Sequence, residues 1–155
     1  MFHDLVEAKA TEKAINKSAA LYETLEERFS TPKLSKLIKR KIKVKVPVLD
    51  RVEEIPYAYQ NGRLNLIAPV VFPKTKTALE DRSAKYAVEG RSLYNHEDSE
   101  HGPMQLLIVG QFDDDDSEAV STAKRILNTH EVRLFPRTNL QELLDEIAEE
   151  GHIVS

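Results

Sequence analysis

The stretch Ile55–Phe72 reads IPYAYQNGRLNLIAPVVF and determines how the rest of the chain is arranged. Its two halves are rich in aromatic and β-branched residues, and the dipeptide Asn61-Gly62 separates them. Because Asn-Gly readily supplies the two positive φ angles of a type I′ turn, the pattern predicts a β-hairpin. Pro69 has no N–H to donate to a ladder, so it is expected at an edge, a bulge or the end of the second strand.

One long helix is predicted before the hairpin, from Asp4 to Phe29, because apolar or small residues recur there at three- and four-residue spacing. Asp4 is the candidate N-cap, with Glu7 three residues further on, and Thr31-Pro32 ends the helix. The exposed face carries both signs of charge, which fits either a solvated helix or a helix-mediated dimer.

A basic segment lies between this helix and the hairpin, with six lysines, one arginine and no acid from Lys33 to Lys45. Lysines alternate with aliphatic residues from Lys41 to Val46, which is the pattern of a half-buried strand. The candidate binding residues, here called the basic strip, are Lys39, Arg40, Lys41, Lys43 and Lys45. Their charges could contact nucleic-acid phosphates, or they could protect an edge strand from aggregation. The absence of interleaved aromatic residues favours protection.

The second half of the chain predicts alternating helices and strands. Thr77–Tyr94 is a helix whose apolar stripe includes small residues, so it is expected to lie close to a sheet. Met104–Phe112 is a continuous apolar run typical of a strand buried on both faces, and Glu131–Phe135 is a shorter strand. Helices are predicted to follow both strands, the first of them starting in Asp113–Ser117, and a right-handed crossover would make the two strands parallel.

The full order is a helix, three mostly antiparallel strands, a helix, a strand, a helix, a strand and a helix. Two stretches resemble the PD-(D/E)XK nuclease-like superfamily, including Mrr-type restriction endonucleases: YAYQNGRLNLI and LLIVGQFDDDDSEAVSTAKRILNTHEVRLFPRTNLQELLDEI. We therefore expect an α/β fold in which a three-stranded antiparallel meander continues into a parallel β-α-β unit, flanked by helices. The resemblance also implies an origin in a phage, mobile element or defence system.

A chain of 155 residues fits one domain. Within the expected single domain, residues 1–30 form the N-terminal helix, 31–76 the basic strand and hairpin, and 77–155 the helix and the β-α-β-α unit.

The chemistry that the resemblance implies is missing from the hairpin. That superfamily uses an Asp near the first hairpin strand, and on the second a Glu or Gln followed two residues later by Lys, to hold Mg²⁺ and orient water. The first position falls here at Pro56 or Tyr57, and the second strand offers Asn65, Ile67, Ala68 and Pro69. We therefore expect a non-catalytic nuclease-like binding or regulatory module without a cofactor.

Two alternative functions stay open. A metal-dependent nuclease could use the displaced residues Glu54, Glu27 and Lys74, with Mg²⁺ as its cofactor. A sequence-independent nucleic-acid-binding protein could use the basic strip alone.

The composition and charge of the chain limit the compartment and the partners that are expected. The chain is 41% apolar and 31% charged, has no cysteine and carries a net charge of −4. No apolar run approaches the roughly 18 residues that span a bilayer, and the charged N-terminus lacks a signal peptide's apolar core, so a cytoplasmic protein without a membrane partner is expected. The acidic total leads us to expect a protein partner or a homodimer, with nucleic acid as the alternative partner.

Two further polar clusters are expected to be structural. The acids Asp113–Asp116 precede a predicted helix, where acids cap the chain and complement the macrodipole. His96 and His101 lie in a polar loop without helical spacing, which favours solvated side chains over a metal site.

Overall fold

The computed structural model describes residues 17–113 and 116–153. Its five strands form one sheet in the order β1-β2-β3-β4-β5. The strands are β1 (Lys39–Val46), β2 (Arg51–Gln60), β3 (Leu64–Val71), β4 (Met104–Gln111) and β5 (Arg133–Pro136). Strand β2 is antiparallel to β1 and β3, whereas β3, β4 and β5 are parallel. The predicted α/β fold, an antiparallel meander continued by a parallel β-α-β unit, is confirmed.

Helices cover both faces of this sheet. Residues 17–29 form the described part of α1. The other helices are α2 (Pro32–Ser35), α3 (Lys76–Asn95), α4 (Ser117–Thr129) and α5 (Leu140–Glu150). The predicted helix start at Asp4 and its partner Glu7 lie outside the described residues. Within the described ranges, none of the helices combines the length and the apolar character that crossing a bilayer requires.

Strand β4 alternates its side chains between two cores. Leu106 and Ile108 pack with α3 and α4, whereas Leu107 and Val109 pack with α1 and α5. All four side chains are at most 2% exposed. The strand therefore lies inside the sheet and is buried on both faces, as its continuous apolar run predicts.

Small residues let α3 lie close to the sheet. Ser83, Ala87 and Gly90 are buried along one side of the helix. A Cβ atom at position 90 would overlap the side chain of Val132 and contact Leu106. The close approach that was predicted from the small-residue stripe is confirmed, and only glycine permits it at position 90.

The hairpin turn differs from the prediction. The loop between β2 and β3 has three residues, 61–63. Gly62 has a φ of 101°, but Asn61 is not among the residues with positive φ, so the predicted type I′ turn is wrong. The side-chain amide of Asn65 donates to Oδ1 of Asn61 over 2.7 Å and to the carbonyl of Arg63 over 2.9 Å. These bonds stabilise the longer loop.

The acidic run before α4 provides a helix cap. Oδ1 of Asp116 accepts hydrogen bonds from the backbone N–H groups of Glu118 at 3.0 Å and Ala119 at 3.2 Å. The capping role predicted for this run is confirmed for Asp116. Asp114 and Asp115 lie outside the described residues.

Candidate functional site

Strands β2 and β3 pair over only part of their length. Their ladder runs from Gln60–Leu64 to Tyr57–Ile67 and stops there. Just beyond the last pair lie Pro56 on β2 and Pro69 on β3. Neither has an N–H for a ladder bond. Beyond this point β2 stays paired with β1, and β3 stays paired with β4. We call the opening between residues 51–56 of β2 and 68–71 of β3 the fork.

A backbone irregularity in β1 lies at the level of the fork. Lys41 has a φ of 52°, in the left-handed region that residues other than glycine rarely adopt. It is left out of the pairing with β2, in which Arg40 faces Tyr57 and Ile42 faces Ile55. The residue it would have faced is Pro56. The irregularity in β1 and the end of the β2–β3 ladder thus meet at one proline.

On the α1 side of the sheet, a cleft of about 350 Å³ lies over β1 and β2 at the level of the fork. The residues that line it are Tyr22, Glu26, Arg40, Lys41, Glu54, Pro56 and Tyr57. Oε2 of Glu26 accepts a 2.8 Å hydrogen bond from the Tyr57 hydroxyl and a 2.6 Å bond from Nη1 of Arg40. The guanidinium carbon of Arg40 also lies 5.6 Å from the centre of the Tyr57 ring. Glu26 therefore links α1 to both β1 and β2.

The protonation states in this cleft follow from these contacts. The hydrogen bond from Tyr57 is the main reason why the pKa of Glu26 lies below its usual value; burial opposes this decrease, and the charge of Arg40 adds to it. Burial, followed by the contact with Glu26, raises the pKa of Tyr57 to about 12. At neutral pH Glu26 is therefore ionised, and the Tyr57 hydroxyl keeps the proton that it donates.

On the α3 side the fork opens into a second cleft of about 220 Å³. The residues shared by the two clefts are Tyr22, Glu54 and Pro56. Helix α3 adds Glu89 and Lys85 to the second cleft, and β2 adds Glu53 and Arg51. Burial raises the pKa of Glu89; the charge of Lys85 opposes this increase, and that of Glu53 adds to it. Glu53 is itself paired with Nε of Arg51 at 2.6 Å.

The residues proposed for a displaced metal site are only partly brought together. Glu54 lines both clefts. Glu27 is exposed on α1 and is not among the lining residues, and its neighbour Glu26 lines the α1-side cleft instead. Nζ of Lys74 lies 3.6 Å from Oδ2 of Asp113, in the loop after β4. Among residues 17–113 and 116–153, no group of three or more His, Asp or Glu could hold a metal ion.

Core side chains occupy the hairpin positions where the resemblance would place nuclease ligands. Tyr57 and Ile67 face each other across the β2–β3 ladder and are 4% and 0% exposed. Asn65 is 2% exposed, and its amide is used in bonds to the hairpin loop. These positions therefore contribute to packing.

The basic strip lies on the edge strand β1, beside acids from neighbouring elements. Three residues of the strip have a carboxylate as neighbour: Arg40 and Lys45 form ion pairs with Glu26 and Asp50, and Lys43 lies opposite Glu54 in the register of the β1–β2 ladder. The first two nitrogen–oxygen distances are 2.6 and 3.4 Å. Two of the five cations of the strip are therefore balanced by an ion pair.

The loop after α3 covers part of the outer edge of β1. Nε2 of His101 lies 3.2 Å from the carbonyl oxygen of Lys43, and an isolated bridge joins Asp98 to Gly102 within the loop. A covered edge carbonyl is less able to pair with another chain. His101 thus has a structural contact, whereas the sequence predicted a solvated side chain.

Sequence reasoning did not identify Tyr22, Glu26 or Glu89 as site residues. Tyr22 and Glu26 are four residues apart on α1 and therefore share a face of the helix. That spacing is a usable signal, but it does not reveal which face of α1 meets the fork. The position of Glu89 depends on how α3 packs against residues 51–56 of β2.

Comparisons of this chain with protein-family models, curated proteins and solved structures give no match. Inferences about function therefore rest on the fork, on the residues that line it and on the resemblance that the sequence itself carries.

Proposed function

We propose that this chain is a non-catalytic binding or regulatory module with a nuclease-like fold, and that the fork is its ligand site. The observation that carries the proposal is the opening between β2 and β3, with a cleft on each side that shares Tyr22, Glu54 and Pro56. Concave sites lined by apolar side chains and a few polar groups are where proteins usually bind ligands. The fork provides aromatic faces, carboxylates and cations within such a site.

The groups in the fork favour recognition over cleavage. The carboxylate of Glu26 is already engaged by the Tyr57 hydroxyl and the Arg40 guanidinium. The β3 side of the fork, residues 68–71, consists of Ala, Pro, Val and Val and offers neither an acid nor a lysine. A metal-dependent nuclease needs carboxylates to hold the ion and a cation to stabilise developing charge.

The strand order supports a relation to the PD-(D/E)XK nuclease-like superfamily, because an antiparallel meander continues into two parallel strands. We extend the proposal to a cytoplasmic protein of a phage, mobile element or defence system. Its partner in this proposal is another protein or a second copy of the chain. The acids beside Arg40, Lys43 and Lys45 make nucleic acid the less favoured partner.

One observation favours a second candidate function, a metal-dependent nuclease with displaced residues. Glu26 and Glu54 line the same cleft as Lys41. Mg²⁺ often binds through one or two carboxylates, with water and substrate phosphates completing its coordination. In this alternative Glu26 replaces the predicted Glu27, and Lys41 replaces the predicted Lys74.

A cleavage assay distinguishes the two functions. The protein is incubated with plasmid and with single- and double-stranded oligonucleotides in Mg²⁺ and, separately, in Mn²⁺. We expect no cleavage by the wild-type protein or by the Glu54→Gln and Glu27→Gln variants. Cleavage that Glu54→Gln abolishes, but that Glu27→Gln on the exposed side of α1 leaves intact, would overturn the non-catalytic proposal.

Site-specific photo-cross-linking tests the fork as the ligand site. A photoreactive phenylalanine analogue replaces Tyr22 at the fork in one variant and the exposed Glu149 of α5 in the other. In cells that naturally contain the protein, we expect a discrete adduct from position 22 and none from position 149. Equal yields from the two positions would contradict a partner bound at the fork.

A further inference from the structure

A second crevice, separate from the fork, lies at the carboxyl ends of β4 and β5. After β4 the chain passes to α4 on the face that also carries α3, whereas after β5 it passes to α5 on the opposite face, beside α1. Two parallel neighbouring strands whose connections leave in opposite directions form a crevice between those connections. Open α/β sheets characteristically bind ligands at such a switch point.

Side chains from both connections line this crevice, which has a volume of about 340 Å³. That volume lies within the usual range of about 300–1,000 Å³ for small-molecule sites. Its polar side chains are Gln111, Ser117, Ser121, Arg137 and Thr138. Gln111 ends β4, the serines belong to the first turns of α4, and Arg137 and Thr138 follow β5. The site therefore exists only because β4 and β5 are neighbours.

One buried group beside the crevice lacks a hydrogen-bond partner. Oε1 of Gln111 is buried and has none among the residues that the structure describes. Leaving a buried polar group unsatisfied is unfavourable, so the side chain of Gln111 gains a partner if it turns towards a ligand with an N–H or O–H donor. Arg137, the two serines and Thr138 line the same crevice.

The start of α4 is not what makes this crevice a site. The side chain of Asp116 already accepts the N–H groups of Glu118 and Ala119. The cation is Arg137, from the connection after β5, and a guanidinium pairs well with the two oxygens of a carboxylate or phosphate. The nearby carboxylates of Asp113 and Asp116 would repel a ligand that carries several phosphates.

We propose that this crevice binds a small polar molecule with a single oxyanion group, a carboxylate or one phosphate, and at least one hydrogen-bond donor. Arg137 pairs with the oxyanion, and the hydroxyls of Ser117, Ser121 and Thr138 bind the polar groups of the ligand. The side chain of Gln111 turns towards the crevice and accepts the donor. This site is independent of the fork and of the function proposed there.

The test follows the backbone amide NMR signals of the full chain during titrations with ribose 5-phosphate, adenosine monophosphate, glutamine, inorganic phosphate and acetate. We expect saturable shifts at Gln111, Ser117 and Thr138 with an organic probe, and weaker binding of the free oxyanion. Whether the best probe carries a phosphate or a carboxylate identifies the oxyanion. The absence of saturable shifts in the crevice with all five probes at millimolar concentration would overturn the proposal.

Two variants assign the binding to the crevice. Arg137→Gln should lower the affinity for the best probe by about tenfold or more, as expected for the loss of a charge-assisted pair. Arg125→Gln removes the same charge from an exposed position of α4 and should leave the affinity unchanged. An equal loss of affinity in the two variants would show that only the net charge of the protein matters, and would contradict a site in the crevice. The fork variant Glu54→Gln should bind the probe as the wild type does.

Discussion

The hydroxyl of Tyr57 donates a 2.8 Å hydrogen bond to Oε2 of Glu26 and so joins β2 to α1 at the fork. The same carboxylate oxygen accepts from Arg40 of β1, at the position next to the left-handed residue Lys41. One carboxylate thus connects three elements at the last pair of the β2–β3 ladder. These bonds position α1 relative to the two strands that form one side of the fork.

Replacing Tyr57 by phenylalanine should raise the pKa of Glu26 towards its usual value, because the hydrogen bond from Tyr57 is the main cause of the decrease. A lowered carboxyl pKa stabilises the folded state above the unfolded pKa of 4.5, and this stabilisation is lost as the pH falls through the folded pKa. The wild type should therefore lose more stability than Tyr57→Phe on acidification below 4.5. NMR titration of the side-chain carboxyl measures the pKa, and denaturant unfolding at several pH values measures the stability.

The ring of residue 57 is retained in this variant, which isolates the hydroxyl. The centres of the Phe29 and Tyr57 rings lie 5.0 Å apart in an edge-on arrangement that phenylalanine can keep. Tyr86→Phe serves as the control, because it removes a hydroxyl from the α3-side cleft and should leave the pKa of Glu26 unchanged. An unchanged Glu26 pKa in Tyr57→Phe would show that another group holds this carboxylate ionised.

The sheet and its helices can largely be predicted from local sequence, whereas the fork cannot. The apolar run of β4 and the small stripe of α3 are local patterns with a direct structural meaning. The fork instead requires Pro56 and Pro69 to fall near the same level of two paired strands, which depends on the hairpin register. The turn prediction was wrong for a related reason, because the side chain of Asn65 stabilises a three-residue loop.

Which residues face the site depends on the rotation of α1 and on the register of the strands, and the periodicity of the sequence determines neither. Successive residues of a helix point about 100° apart, so the choice between Glu26 and Glu27 depends on how α1 is rotated over the sheet. The same limit applies to the basic strip. Its alternation of lysines and aliphatic residues predicts an edge strand, but it does not predict which acids lie beside that strand. Glu54 faces Lys43 only through the register of β1 and β2.

Replacing Gly90 by alanine should destabilise the protein, although alanine is normally the better helix former by about 1 kcal/mol. A Cβ at this position would overlap the side chain of Val132, which is 0% exposed and cannot move into solvent. Overpacking of this kind typically costs about 1–3 kcal/mol. Urea unfolding followed by circular dichroism measures the change in the free energy of unfolding.

A double-mutant cycle shows whether the overlap with Val132 causes the loss of stability in Gly90→Ala. Val132→Ala alone should destabilise by leaving a cavity, and Gly90→Ala should then cost less in that background, because the added methyl group enters the space. Additive effects of the two substitutions, or a gain in stability from Gly90→Ala alone, would show that α3 does not approach the sheet as closely as described.

The acids beside the basic strip predict how the protein responds to nucleic acid. Each phosphate that a cation neutralises on duplex DNA contributes about 0.9 to the slope of log affinity against log salt concentration. A cation already paired with a carboxylate contributes less, because contact with phosphate must first break that pair. We therefore expect weak, sequence-independent binding by the wild type, with a shallow salt dependence.

Removing two of these acids should turn weak binding into stronger, more salt-sensitive binding. Asp50→Asn combined with Glu54→Gln keeps the side-chain shapes, removes the ion-pair partner of Lys45 and removes the charge opposite Lys43. Asparagine tolerates the left-handed backbone of residue 50, whose φ is 49°. The salt slope should steepen by about one, since Lys45 becomes free to neutralise one more phosphate. Glu118→Gln combined with Glu149→Gln changes the net charge equally, on helices that contact β5 at the other edge of the sheet, and should leave the slope unchanged. Gel-shift titrations of a duplex at several salt concentrations measure both slopes. A steep slope and micromolar affinity in the wild type at near-physiological salt would show that the acids do not mask the strip, and would favour nucleic acid over a protein as the partner.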